Sequence, residues 1–188
     1  MTVVQSDVVA STRLAAAAGP RYPDLLVRHR SLIARAMARW GGRFMSHSGD
    51  GTLAVFDRPA GALAASVEAQ RALAAEPWPE GLAVRVRMGV HAGDVYEVEG
   101  EPFGLTVNHC ARIMGAAHAG QVVVTDAVVE ALDDPPGTGP VADLALAEAG
   151  WHTLRDHGGP VRLRQVVGDG LTVVLPRPSE LVGDAVGR

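Results

Sequence analysis

The chain has 188 residues, 47% of them hydrophobic, and a formal net charge of −4; this is room for one packed domain and excludes a disordered chain too polar to collapse. Its basic residues are all Arg and lie scattered among the acids, which excludes the basic stripe of a nucleic-acid surface. Its one cysteine, Cys110, excludes an intrachain disulfide framework, and no apolar run of about twenty residues or secretory leader is visible, so a soluble, cytoplasmic chain with no membrane segment is expected.

Residues 2–9 read as a short strand. Two helical stretches follow, broken at Gly19-Pro20. The second carries Leu25, Leu26, His29, Leu32, Ile33, Met37 and Trp40 at helical spacing and stops at Gly41-Gly42. A hairpin is predicted next. Residues 43–47 enter it, Ser48-Gly49-Asp50-Gly51 turn it, and Thr52 to Phe56 leave it. Pro59 opens a helix with Leu63, Val67 and Leu73 on its apolar side. Residues 82–90 alternate as a strand with Val84, Val86, Met88 and Val90 on one face.

A turn-rich stretch to Gly104 precedes a helix at 105–116. Val122 to Val124 is a buried strand, and a short helix spans 126–132. The stretch from Asp133 to Pro140 reads as a loop. Strands are expected at 144–156 and 161–167, with an extra one at 171–175 and then a loose tail. This order predicts an α+β sandwich, a mainly antiparallel sheet with its helices on one side. The domain is expected to occupy 1–167, with 168–188 as a C-terminal extension.

Three groups of residues carry chemistry. Asp7 ends the first strand and Asp50 tips the hairpin. If the hairpin pairs beside that strand, the two carboxylates converge, and two carboxylates plus substrate phosphates suit Mg²⁺. Each also has an ordinary reading, Asp7 as a helix cap and Asp50 as a turn former. The segment from Asp7 to Arg13 joins strand to helix, where backbone N–H groups with Ser11 and Thr12 can bind phosphate or simply cap a helix. Asn108 and Arg112 are four apart, so they share a helix face, opposite Val107, Cys110, Ala111 and Met114. An amide and a guanidinium presented together suit a ribose and a phosphate; a surface Asn and a salt-bridged Arg would look the same.

Four segments in order and register strengthen the functional readings. They are Ser6-Asp7-Val8-Val9-Ala10-Ser11-Thr12, Ser48-Gly49-Asp50-Gly51-Thr52-Leu53-Ala54-Val55-Phe56, Met88-Gly89-Val90-His91-Ala92-Gly93 and Phe103-Gly104-Leu105-Thr106-Val107-Asn108-His109-Cys110-Ala111-Arg112. In sequence and spacing they resemble class III adenylate and guanylate cyclase catalytic domains. Gly120 to Thr125 and Trp151 to Asp156 resemble later strands of that family, and the match runs over residues 2–167.

The resemblance implies a ferredoxin-like sandwich that converts a nucleoside triphosphate to a 3′,5′-cyclic monophosphate and pyrophosphate. It implies two Mg²⁺ or Mn²⁺ ions held by Asp7, Asp50 and the carbonyl of Val8. One ion would activate the ribose 3′-hydroxyl and the other would hold the triphosphate. Asn108 would orient the ribose, Arg112 would neutralise the α-phosphate, and Arg155 would stand where the family has a triphosphate-binding Lys. It also implies a head-to-tail homodimer whose sites take the aspartates from one chain and Asn and Arg from the other.

The chain departs from the family where the base is read. Adenylate cyclases use a Lys and an Asp or Thr, and guanylate cyclases a Glu and a Cys; here the positions are Ser46 and Glu101. The family's aromatics two residues before the first metal Asp, after Gly-Asp-Gly and before Phe103 are Gln5, Thr52 and Pro102. Altered base recognition is expected, with ATP or a pyrimidine triphosphate as substrate. Some relatives make cyclic pyrimidine nucleotides in antiphage signalling. Two alternatives stand beside the active cyclase: a degenerate domain that binds nucleotide and regulates a partner, and a pure protein-interaction domain.

Overall fold

The computed structural model describes residues 1–46, 49–133, 139–155 and 158–174, with the side chains of Ser46 and Pro140 outside that set. The predicted 171–175 strand and tail therefore lie in part beyond it.

Seven strands form one sheet in the order β2-β3-β1-β4-β7-β9-β8. Strand β1 (Thr2–Val8) sits between β3 (Thr52–Phe56) and β4 (Val86–Ala92), antiparallel to both. Strand β2 (Arg43–Ser46) forms the hairpin with β3. With α1 (Ser11–Ala18), α2 (Tyr22–Arg39) and α3 (Pro59–Ala75) as the connections, this first half is the expected ferredoxin-like βαββαβ arrangement. The helix α4 (Leu105–Ala116) then leads to β7 (Val122–Thr125), which pairs in parallel with β4. Beyond α5 (Asp126–Glu130), β8 (Ala145–Thr153) and β9 (Pro160–Val167) complete the sheet, with β9 against β7 and β8 at the edge.

The helices are not all on one side, as the sequence pattern suggested. Val4, Val8, Phe56, Met88, Val90 and Val124 pack with Ile33 and Met37 of α2 and Leu63 and Val67 of α3. Their strand neighbours Val3, Leu53 and Val55 pack with Val107 and Cys110 of α4, and Val123 and Leu163 with Ile113. Because successive side chains alternate across a strand, α4 covers the opposite face. Gly89 makes this possible, since a Cβ there would lie 2.5 Å from the backbone nitrogen of Met114.

Three smaller expectations need correction. The strand at 82–90 begins only at Val86, although Leu82 and Val84 are buried as their pattern required. The turn-rich stretch before α4 contains a second, two-stranded sheet, β5 (Tyr96–Val98) and β6 (Glu101–Phe103). Its two-residue turn places Glu99 and Gly100 at positive φ, the geometry that twists a tight hairpin correctly. Finally, residues 171–174 form no strand. The Gln165 side chain instead accepts from the Val174 N–H at 2.9 Å and donates to its carbonyl at 2.7 Å, so an amide side chain satisfies the groups a neighbouring strand would have bonded. Among the described residues, no helix is long and apolar enough to cross a membrane.

Candidate active site

Asp7 lies one residue from the end of β1, directly opposite Arg87 on β4. The Arg87 Nη2 donates to Asp7 Oδ2 at 2.8 Å, and its Nη1 donates to the Gly115 carbonyl of α4 at 3.1 Å. Asp7 therefore caps no helix; α1 starts after Ala10, which takes a left-handed φ of 56°, and has no side-chain cap. Asp50 sits on the β2–β3 turn. The register that pairs Ser6 with Thr52 brings that turn beside the end of β1. Asp7 and Asp50 thus line one open cleft of about 370 Å³, together with Gln5, Ser6, Gly51, Thr52, Ala111 and Met114.

The cleft suits a cation held by oxygen. The Oδ2 of Asp50 is buried and has no hydrogen-bond partner among the described residues. A buried, unpaired carboxylate oxygen is costly, and a bound cation removes the cost. No group of three or more His, Cys, Asp or Glu side chains suited to a metal occurs among the described residues. The carboxylates that line the cleft are Asp7 and Asp50, and Mg²⁺ is usually held by one or two carboxylates together with water and substrate phosphates.

Two of the departures in the sequence are satisfied inside the structure. Gln5 donates to the Val107 carbonyl of α4 at 2.8 Å, and the Ser6 and Thr52 hydroxyls are 2.6 Å apart. Both contacts are buried, so polar groups occupy these positions without an unpaired donor cost. Cys110 is fully buried, its thiol is pushed up to about 12 by burial, and it donates to the carbonyls of Val3 and Gly89. It is a packing residue, not a nucleophile.

Among the described side chains, those of Val8, Ser11, Thr12, Glu101, Asn108, Arg112 and Arg155 are not among those lining this cleft. Asn108 is exposed and Arg112 half-buried, on the α4 surface turned away from Val107, Cys110 and Ile113. Val8 closes β1 opposite Val86, Ser11 is half-buried and Thr12 exposed at the start of α1. Arg155 is exposed just past β8, at the sheet edge farthest from the β2–β3 hairpin. Glu101 is exposed on β6; the Ser46 backbone pairs with Thr52, while its side chain lies outside the described residues. An ion pair between Arg43 of β2 and Glu97 of β5 ties the strand that carries Ser46 to the β5–β6 hairpin that carries Glu101.

Two arginines near the carboxylates escaped the sequence reading. Arg87 belongs to the outward series of an alternating strand, which looks solvent-facing until α4 is known to cover it. Arg30 stands on an apolar stripe of α2, with Leu26, Ile33 and Met37 at helical spacing, and its guanidinium donates to the Gly49 carbonyl. A lone cation inside such a stripe was the available signal.

No protein-family model matches the chain. A Rhizobium meliloti protein assigned as adenylate cyclase 3 is 29% identical over 141 residues, which is 74% of this chain and 23% of that protein. The chain spans about a fifth to a half of the length of the curated relatives it matches. Among solved structures, an adenylate/guanylate cyclase/hydrolase from Silicibacter pomeroyi is 27% identical, with a TM-score of 0.68 and coverage of 89% of this chain and 96% of that one. An adenylate cyclase from Trypanosoma brucei, solved in its monomeric state, superposes with a TM-score of 0.80 at 21% identity, covering 97% of this chain and 93% of that one. In fold, the chain is similar to class III adenylate/guanylate cyclase catalytic domains, and in sequence it is similar to proteins named as adenylate or adenylate/guanylate cyclases.

Proposed function

We propose that residues 1–167 form the catalytic domain of a nucleotidyl cyclase, which closes a nucleoside triphosphate into its 3′,5′-cyclic monophosphate with release of pyrophosphate. The observation that carries this reading is the pairing of Asp7 and Asp50 on one cleft, with the inner Asp50 oxygen buried and unpaired among the described residues. Asp7, Asp50 and the Val8 carbonyl hold two Mg²⁺ or Mn²⁺ ions. When bound, these supply the charge that acidifies the ribose 3′-hydroxyl and steadies the leaving pyrophosphate. Arg87, already beside Asp7, contributes a guanidinium to the triphosphate. Ser11 and Thr12 at the start of α1 lie next to the same strand end.

Asn108 orients the ribose and Arg112 neutralises charge that builds on the α-phosphate. Neither is among the residues lining the carboxylate cleft of its own chain, so in this reading they serve the site of a second copy in a head-to-tail homodimer, and Arg155 reaches the triphosphate in the same way. Support for a pairing surface comes from the β5–β6 hairpin and the start of α4, where Tyr96, Val98, Phe103 and Leu105 are 62%, 56%, 47% and 72% exposed. One solved relative is described as a non-canonical dimeric guanylyl cyclase domain and another as a complex with ATPαS. Ser46 and Glu101 read the base, as ATP or as a pyrimidine triphosphate, the latter fitting a cytoplasmic role in antiphage signalling.

A second reading, a domain that binds nucleotide without turnover and regulates a partner, is favoured by the altered Ser46 and Glu101. The test incubates purified protein with Mn²⁺ and each of ATP, GTP, CTP and UTP and identifies products by mass. A cyclic nucleotide that disappears in Asp7→Asn and Asp50→Asn proteins supports the enzyme. Nucleotide binding with no product supports the regulatory domain, and activity that survives both substitutions removes the two-metal site.

A further inference from the structure

We propose that Arg30 of α2 is a positioning residue for Asp50, a clamp that fixes the β2–β3 turn so that its carboxylate faces the cleft. The proposal rests on the reading of Asp50 as a cation ligand. The Arg30 Nη2 donates to the carbonyl of Gly49, the residue immediately before Asp50. That contact links α2 to the residue just before Asp50. Arg30 Nε and Asp50 Oδ2 are both inaccessible, and both lack a hydrogen-bond partner among the described residues. The charges of Arg30, Asp50 and Asp7 all reach Tyr22 and His29 on the inward side of α2.

A surface-seeking cation on an apolar stripe loses hydration, and this one recovers it through a backbone acceptor rather than through either carboxylate. The choice of acceptor matters. An Arg paired directly with Asp50 would compete with a metal, whereas an Arg bonded to the preceding carbonyl orients the turn and leaves the carboxylate oxygens open. The role is that of an outer partner that aims a ligand, a type of contact whose loss usually weakens metal binding by about 10- to 100-fold.

Charge and position predict opposite signs, which makes the proposal testable. Arg30 as a mere nearby charge repels a divalent cation, so removing it would tighten binding. Arg30 as a clamp holds the ligand in place, so removing it loosens binding. Mn²⁺ alone is titrated into the full chain and its free concentration is followed by electron paramagnetic resonance, with thermal unfolding as a check of the fold. Arg30→Met, which keeps the apolar stem, is expected to bind Mn²⁺ about tenfold more weakly at near-unchanged Tm. Arg30→Lys, which keeps the charge and a donor, is expected to recover most of that loss.

Unchanged or tighter Mn²⁺ binding by a folded Arg30→Met protein overturns the clamp. Should Arg30→Met fail to fold, Arg30→Gln replaces it. Gln has neither the charge nor the reach, and binding as tight as that of Arg30→Lys overturns the proposal equally. Asp50→Asn separates the two levels of inference. If it binds Mn²⁺ like the native chain, the metal-site reading fails; if it loses Mn²⁺ while Arg30→Met does not, only the clamp fails.

Discussion

Acidification should unfold this protein in part through one residue, His29. Its ring is fully buried on the inward side of α2, and neither nitrogen has a hydrogen-bond partner among the described residues. Burial, reinforced by the Arg30 charge and opposed by Asp50 and Asp7, lowers it from 6.5 to about 4. The folded chain therefore keeps His29 neutral down to about pH 4, while the unfolded chain takes up the proton near pH 6.5. Between these values the unfolded state binds more protons, so stability rises with pH and is lost as pH falls through this window. The full gap of about 2.5 pH units corresponds to about 3 kcal/mol, of which about 2 kcal/mol is lost between about pH 7 and pH 5. The assay is urea unfolding of the native chain and of His29→Leu at both pH values. Leu carries its own packing cost, but that cost is independent of pH, and the titrating carboxylates are common to both proteins. The native chain should lose about 2 kcal/mol more than His29→Leu on going from about pH 7 to pH 5. Equal losses would refute the burial argument.

Mixing Asp50→Ala and Arg112→Ala chains, each nearly inactive alone, should restore about a quarter of native activity, because about half the dimers are mixed and each has one whole site. No recovery after subunit exchange confirmed with differently tagged chains would refute the shared site. Ser46→Lys with Glu101→Asp should move the measured kcat/KM ratio towards ATP by an order of magnitude or so if these side chains read the base, and an already exclusive preference for ATP in the native chain would contradict that role. Gly89→Ala forces a Cβ to within 2.5 Å of the Met114 backbone, so it should cost about 1–3 kcal/mol and lower Tm by several degrees. Gly115→Ala, which meets no atom within 4 Å, should leave Tm unchanged or raise it.

Local pattern alone determined much of this protein. Strand alternation, helical spacing and the glycine-flanked Asp50 located most strands and helices. They also located the hairpin whose register brings Asp50 beside Asp7, because such patterns record which side of each element avoids water and how a tight turn folds back. What the pattern could not decide was what covers the second side of a strand. The series Arg85, Arg87, Gly89 and His91 reads as a solvent face, yet α4 packs over its inner part, held by Val107, Cys110 and Ile113 and admitted by the missing Cβ of Gly89. For the same reason Arg87 and Arg30 could not be assigned to the carboxylates. Their partners are 80 and 19 residues away in sequence; the β1–β4 register sets Arg87 opposite Asp7, and the packing of α2 brings Arg30 to the Gly49 carbonyl. Nor does the i, i+4 spacing of Asn108 and Arg112 say which way that shared face points. In the tertiary structure neither residue is among those lining the chain's own cleft, while Val107, Cys110 and Ile113 of the same helix pack onto the sheet.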